Sequence, residues 1–153
     1  MRKPLDAGPT AARRALPSIA AIPMTDGVVL AFDVGARRTG VAIANTVTRS
    51  ARPLTTIDSS TQEARWKAVQ ALVHEWQPEE FVVGIPRYPD GTPHELTARC
   101  ERFARQLEGR YQRPVARVDE RYSSAVSRGA ADIDAEAATV ILQQWFDEGR
   151  RDA

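Results

Sequence analysis

The apolar positions of the chain follow two different periods, and their order predicts a fold. Val28-Val29-Leu30-Ala31-Phe32 is an unbroken apolar run, as expected of a strand buried on both faces. Asp33-Val34-Gly35 closes it. Gly40-Val41-Ala42-Ile43-Ala44 predicts a second strand, near enough to the first to form a hairpin, and a third is expected around Leu54-Thr55-Thr56-Ile57. The period then changes. Between Gln62 and Trp76, the residues Val69, Leu72, Val73 and Trp76 recur at helical spacing, and Pro78 follows as a stop signal. Phe81-Val82-Val83-Gly84-Ile85 predicts another buried strand, ended by Pro86, and Tyr88-Pro89-Asp90-Gly91 has turn chemistry. Leu96, Cys100, Phe103 and Leu107 mark a second amphipathic helix. Pro114 to Val118 predicts the last strand, closed by Asp119-Glu120-Arg121. Ala138, Ile141, Leu142 and Trp145 line the inner face of a final helix from about Ala135 to Asp147.

Three strands in a meander, then helix, strand, helix, strand, helix, imply antiparallel pairing first and parallel pairing afterwards. The predicted class is α/β: a mixed five-stranded sheet flanked by helices, which is the RNase H-like arrangement.

Composition narrows this picture. The 153 residues suit one compact domain. Residues 1–26 stand apart, with four of the ten prolines and a charge of +2 against −1 for the remainder. They read as an N-terminal tail, a basic arm being the alternative. Residues 27–149 form the predicted domain, and 150–153 a C-terminal tail. Met24, just ahead of the first strand, offers an alternative start. A net charge of +1 argues against a uniformly basic coat, so any contact with nucleic acid is expected to be a local patch. The single cysteine, Cys100, excludes an internal disulfide and suits a reducing cytoplasm. No stretch has the length of a membrane span, and Pro17 and Pro23 interrupt the most apolar part of the N-terminal segment, so no membrane partner is expected.

The chemistry is carried by acids. Asp33 closes the first strand, Asp119 and Glu120 close the last, and Asp134 opens the final helix. Strand ends in an open α/β sheet are where ligand sites form. Hydrolysis of a phosphodiester needs an activated water and relief of negative charge, which two divalent cations supply. Mg²⁺ and Mn²⁺ prefer oxygen ligands, so carboxylates suit them, whereas His74 and His94 have no neighbours that suggest zinc. Each acid also has a structural reading. Asp33 could polarise a turn with Gly35, although a carboxylate closing a buried run is costly. Asp134 could be an N-cap. Asp119 and Glu120 point to opposite faces of a continuing strand, so only one of them can face a shared site.

Several motifs in order carry a resemblance. They are Phe32-Asp33-Val34-Gly35 with Arg38-Thr39-Gly40-Val41-Ala42; Arg52-Pro53-Leu54; Trp76-Gln77-Pro78-Glu79-Glu80 with Val82-Val83-Gly84-Ile85-Pro86; and Asp90-Gly91-Thr92 with Leu96-Thr97. Asp119-Glu120-Arg121-Tyr122-Ser123-Ser124, and Asp134-Ala135-Glu136-Ala137-Ala138 leading into Ile141-Leu142-Gln143, complete the set. Together they resemble the YqgF, or RuvX, family of Holliday-junction-resolvase-like proteins, over residues 28–149. The resemblance implies an RNase H-like nuclease that uses Mg²⁺ or Mn²⁺, with Asp33, Glu120 and Asp134 as catalytic metal ligands. It gives Arg38 and Arg121 weaker roles at nucleic-acid phosphates, and Gly35 and Gly40 a role in tight turns and close backbone approach. The implied substrate is structured RNA at the 5′ end of pre-16S rRNA, within a ribosomal precursor. Branched DNA is the alternative, and a non-catalytic RNA- or ribosome-binding module of the same fold is a third reading. One departure stands out: Tyr122 to Ile133 is shorter than the family's usual segment there, and Arg128 is its only basic residue.

Overall fold

The computed structural model describes residues 27–121 and 131–148, with the backbone alone at Arg121 and at residues 131–133. The strands are β1 (Val28–Val34), β2 (Arg38–Asn45), β3 (Arg52–Asp58), β4 (Glu80–Arg87) and β5 (Val115–Arg121). The helices are α1 (Gln62–Trp76), α2 (Thr97–Tyr111) and α3 (Ala131–Asp147). One sheet runs β3-β2-β1-β4-β5. β1–β2 and β2–β3 pair antiparallel, and β1–β4 and β4–β5 pair parallel, as the pattern of periods predicts.

Alternation along the strands sorts side chains onto two cores. Leu30, Phe32 and Val34 of β1 face one way and pack with Trp66, Val69 and Val73 of α1 and Cys100, Phe103 and Leu107 of α2. Val29 and Ala31 face the other way, with Ala42, Ala44, Val82 and Val118, against Ala138, Ile141, Leu142, Trp145 and Phe146 of α3. The sheet offers α3 mostly small residues and α3 answers with large ones, so the helix comes close. Burying a side chain such as Phe or Leu contributes about 1.5–3 kcal/mol, so both layers are needed.

Local signals set the helix ends. The Thr61 hydroxyl caps α1, accepting from the Ala64 amide at 3.0 Å. Gln77 and Gln112 close α1 and α2 in the left-handed conformation, and each donates its amide back to a helix carbonyl.

Three boundaries differ from expectation, two of them with a consequence for the acids. β1 continues through Asp33 to Val34, so Asp33 is a strand residue with a defined face. β4 continues through Pro86 to Arg87. The β1–β4 ladder ends at Phe32 and Val83, so no β1 partner needs an amide from Pro86, and its carbonyl accepts from the Thr97 hydroxyl. α3 begins at Ala131, so Asp134 lies inside the helix and is not its N-cap. Among the described residues no helix is long and apolar enough to cross a membrane.

Candidate active site

Asp33 continues the row of Val29 and Ala31, which places it on the α3 face at the carboxyl end of β1. Glu120 continues the row of Ala116 and Val118 on β5 and reaches the same face. Its buried Oε1 lies 3.1 Å from where a Cβ on Gly84 would stand, beside Ile141 of α3. Asp119 points to the other side, where Arg87 Nε meets its Oδ1 at 3.3 Å. Of the adjacent pair, Glu120 is therefore the acid that shares a face with Asp33.

Asp134 arrives from above. Gly40 pairs with Asp33 in the β1–β2 ladder, and the Asp134 carbonyl sits against Gly40 in the space a Cβ would need. The missing side chain lets the first turn of α3 rest on the sheet directly over Asp33's neighbour. Asp134 is buried, and its Oδ2 accepts from Arg38 Nε at 2.6 Å. Arg38 belongs to the same β2 row as Gly40, Ala42 and Ala44, so the ion pair lies on the acidic face. Arg121 is the last residue of β5, and its side chain lies outside the described residues, as does the segment 122–130.

Asp33 and Glu120 also act together electrostatically. Both raise the pKa of the Cys100 thiol, which lies beneath the sheet against the Val34 carbonyl. Burial is the larger cause, and the thiol is pushed up to about 12.

The donors are carboxylate oxygens with no soft ligand among them, which in kind fits Mg²⁺ or Mn²⁺. As placed, no three His, Cys, Asp or Glu side chains among the described residues are grouped closely enough to hold a metal ion. Asp134 is instead paired with Arg38 of β2. Gly84 is a residue the hydrophobic pattern passes over, although it matters here. A glycine inside an apolar strand is the available signal, and it marks a close approach, in this case of Ile141 and Glu120.

Comparison with known proteins gives the family and the fold. The family model described as RuvX, Holliday junction resolvase, matches residues 27–148. A protein of Polynucleobacter necessarius named "Putative pre-16S rRNA nuclease" is 50% identical over 129 residues, covering 82% of this chain and 88% of that one. A protein of the same name from Burkholderia mallei is 52% identical over 130 residues, covering 80% and 89%. Among solved structures, Thermus thermophilus RuvC in complex with a Holliday junction substrate superposes with a TM-score of 0.52 at 16% identity, over 82% of this chain and 97% of that one. At that identity the likeness supports the RNase H-like fold.

Proposed function

The chain belongs to the RuvX family of Holliday junction resolvases, and on that premise we propose that it is a metal-dependent nuclease that hydrolyses phosphodiester bonds in structured RNA, at the 5′ end of pre-16S rRNA. The observation that carries this reading is that Asp33 and Glu120 fall on the same face of the sheet, at the carboxyl ends of β1 and β5, while Asp134 sits in the α3 turn that rests on Gly40, the partner of Asp33. The relatives' shared name supports RNA as the substrate. The single cysteine suits action in a reducing cytoplasm, on a ribosomal precursor.

Asp33, Glu120 and Asp134 are the residues that would hold Mg²⁺ or Mn²⁺, which supplies an activated water and offsets charge on the phosphate. The chain's own groups do the rest. Gly40 fixes the height of Asp134 above β2, and Gly84 leaves room for the Glu120 carboxylate. Trp145, Phe146 and Ile141 keep water from the sheet behind the acids. Arg38 holds Asp134 while the site lacks substrate. Its planar fork of donors also matches a phosphate, so an incoming backbone competes for it. Arg121 follows Glu120 directly and is the second candidate for a phosphate contact.

The family description favours a second reading, a resolvase of four-way DNA junctions. Calorimetry with Mn²⁺ and Mg²⁺ on the wild type and on Asp33→Asn, Glu120→Gln and Asp134→Asn tests the site. Cleavage of a pre-16S 5′ leader and of a four-way junction on the same samples chooses the substrate. Metal binding weakened by each substitution, with leader cleavage lost alongside, is the expected result. No binding up to millimolar metal would leave a nucleic-acid-binding module of the same fold.

A further inference from the structure

We propose that the arginine-lined hollow at the start of α1 is a second phosphate site, which takes a nucleic-acid phosphate apart from the bond being cut. The idea that the phosphate belongs to a nuclease substrate rests on the function proposed above; the anion site itself does not.

The hollow has a volume of about 180 Å³, and its wall includes Ala36, Ser60, Thr61, Arg65, Arg99 and Arg102. Among the described residues no carboxylate lines it. Arg65 is only 4% exposed. One of its terminal nitrogens donates to Gln62 Oε1 at 3.0 Å, and its guanidinium lies 5.2 Å over the Phe103 ring. Its Nε is buried and has no acceptor among the described residues. A buried guanidinium with an unused donor is costly unless an anion completes it.

Two more guanidiniums face the same hollow. Arg99 and Arg102 are exposed residues of α2, and among the described residues neither they nor Arg65 forms an ion pair with a carboxylate. Their fields, after burial itself, hold the Arg65 pKa below its usual value. Three cations gathered without an anion repel one another, and a phosphate relieves all three. The helix adds to the attraction. α1 is 15 residues long, and its first-turn amides at Gln62 and Glu63 remain after Thr61 has taken Ala64. The nearby acids oppose this weakly: Asp58 is tied to the Ser60 amide and hydroxyl at 2.9 and 2.7 Å, and Glu63 is solvent-exposed.

The hollow is also fixed relative to the acids. Ala36 lies in the Gly35–Arg37 turn between β1 and β2, and Asp33 lies just before that turn. Ser59 clamps the turn: its amide donates to the Arg37 carbonyl at 2.8 Å, and its hydroxyl accepts from Thr39 at 3.1 Å. Three residues of chain span at most roughly 11 Å. A duplex strand advances roughly 3.4 Å along the axis per nucleotide, so this reach corresponds to about three nucleotides. Asp33 faces α3 and the hollow opens on the α1–α2 side, so a strand that meets both places would pass round the β1–β2 turn.

The test uses the full chain without added metal, titrated with inorganic phosphate and followed by amide resonances and calorimetry. The expected result is saturable binding that shifts the Gln62 and Glu63 amides. Arg99→Ala with Arg102→Ala, both on exposed positions, should weaken it about tenfold, while Arg65→Lys keeps the charge and loses the fork. With active enzyme, the same double variant should raise KM for RNA and leave kcat nearly unchanged. Oligoribonucleotides with 5′-phosphate or 5′-hydroxyl ends distinguish a terminal phosphate from a backbone one, and either preference supports the site. Phosphate binding that is absent, or that the double variant leaves unaltered, overturns the proposal. If phosphate binds as expected but no nucleic acid is cut, the anion site stands and the nuclease reading falls.

Discussion

Arg38 Nε donates to Asp134 Oδ2 at 2.6 Å, so a side chain of β2 holds a carboxylate of α3 across the acidic face. The Arg38 side chain is 42% exposed, and solvent screening limits what the pair adds to stability to about 1 kcal/mol. Its larger effect falls on what else may bind there. Arg38→Ala should leave the fold nearly as stable, tighten Mn²⁺ binding several-fold and weaken RNA binding. Calorimetry and a denaturant titration read both; Mn²⁺ affinity that drops in Arg38→Ala would refute the competition.

Gly40→Ala should be the most damaging single-methyl change near the site. The added Cβ would meet the backbone of Asp134 and Ala135, which cannot rotate away. Overpacking of this kind costs typically 1–3 kcal/mol, and sometimes more. The melting temperature should fall by roughly 2–4 °C per kcal/mol for a chain of this size. An unchanged melting temperature would mean that α3 does not rest on Gly40.

Gly84→Ala tests the opposite case. Its Cβ would meet the ends of two side chains, Ile141 Cδ1 and Glu120 Oε1. Those are side-chain ends that can shift, so the loss of stability should lie near the low end of the roughly 1–3 kcal/mol that overpacking costs. The displaced Glu120 should nevertheless weaken metal binding. Combining Gly84→Ala with Ile141→Val should restore stability more than it restores metal affinity, and equal recovery of both would contradict this account.

Cys100 gives a pH-dependent readout of the acids. Its folded-state pKa of about 12 lies above the ordinary 9.0, so the native state keeps a proton that the unfolded chain gives up. Stability contributed by this group is intact below pH 9 and is lost as pH rises towards 12. Cys100→Ala should flatten that part of the stability curve. Asp33→Asn should lower the thiol pKa, measured by thiolate absorbance, because Asp33 is the larger electrostatic contributor after burial. A thiol pKa indifferent to Asp33→Asn would place that carboxylate elsewhere.

The sheet was legible because its strands are continuous apolar runs and its helices keep a clean 3.6-residue period. Val69 and Val73, or Ile141, Leu142 and Trp145, leave little choice of face. Strand ends were less legible, since Asp33 and Pro86 look like stops by composition and are held in strands by tertiary pairing and by Thr97. Of the site, the acids could be read, together with the rule that only one of Asp119 and Glu120 could join Asp33. Which one joins depends on the phase of β5, which Ala116 and Val118 reveal once α3 is seen to cover them. The arginine hollow was not read, because Arg99 and Arg102 lie more than a helix away from Arg65 in sequence. Its one local signal was Arg65 itself, an arginine four residues before Val69 on the buried stripe of α1.

The alternation of β1 gives that strand a reading frame of two. Val29, Ala31 and Asp33 share one face, while Leu30, Phe32 and Val34 share the other. Inserting or deleting a single residue within Val28–Phe32 would exchange the two sets, burying the carboxylate among the aromatic rings of α2 and turning Phe32 towards α3. A two-residue change would keep the frame. Length variation in this strand should therefore be tolerated only in even steps, and its parity reports whether the acid still looks out from the sheet.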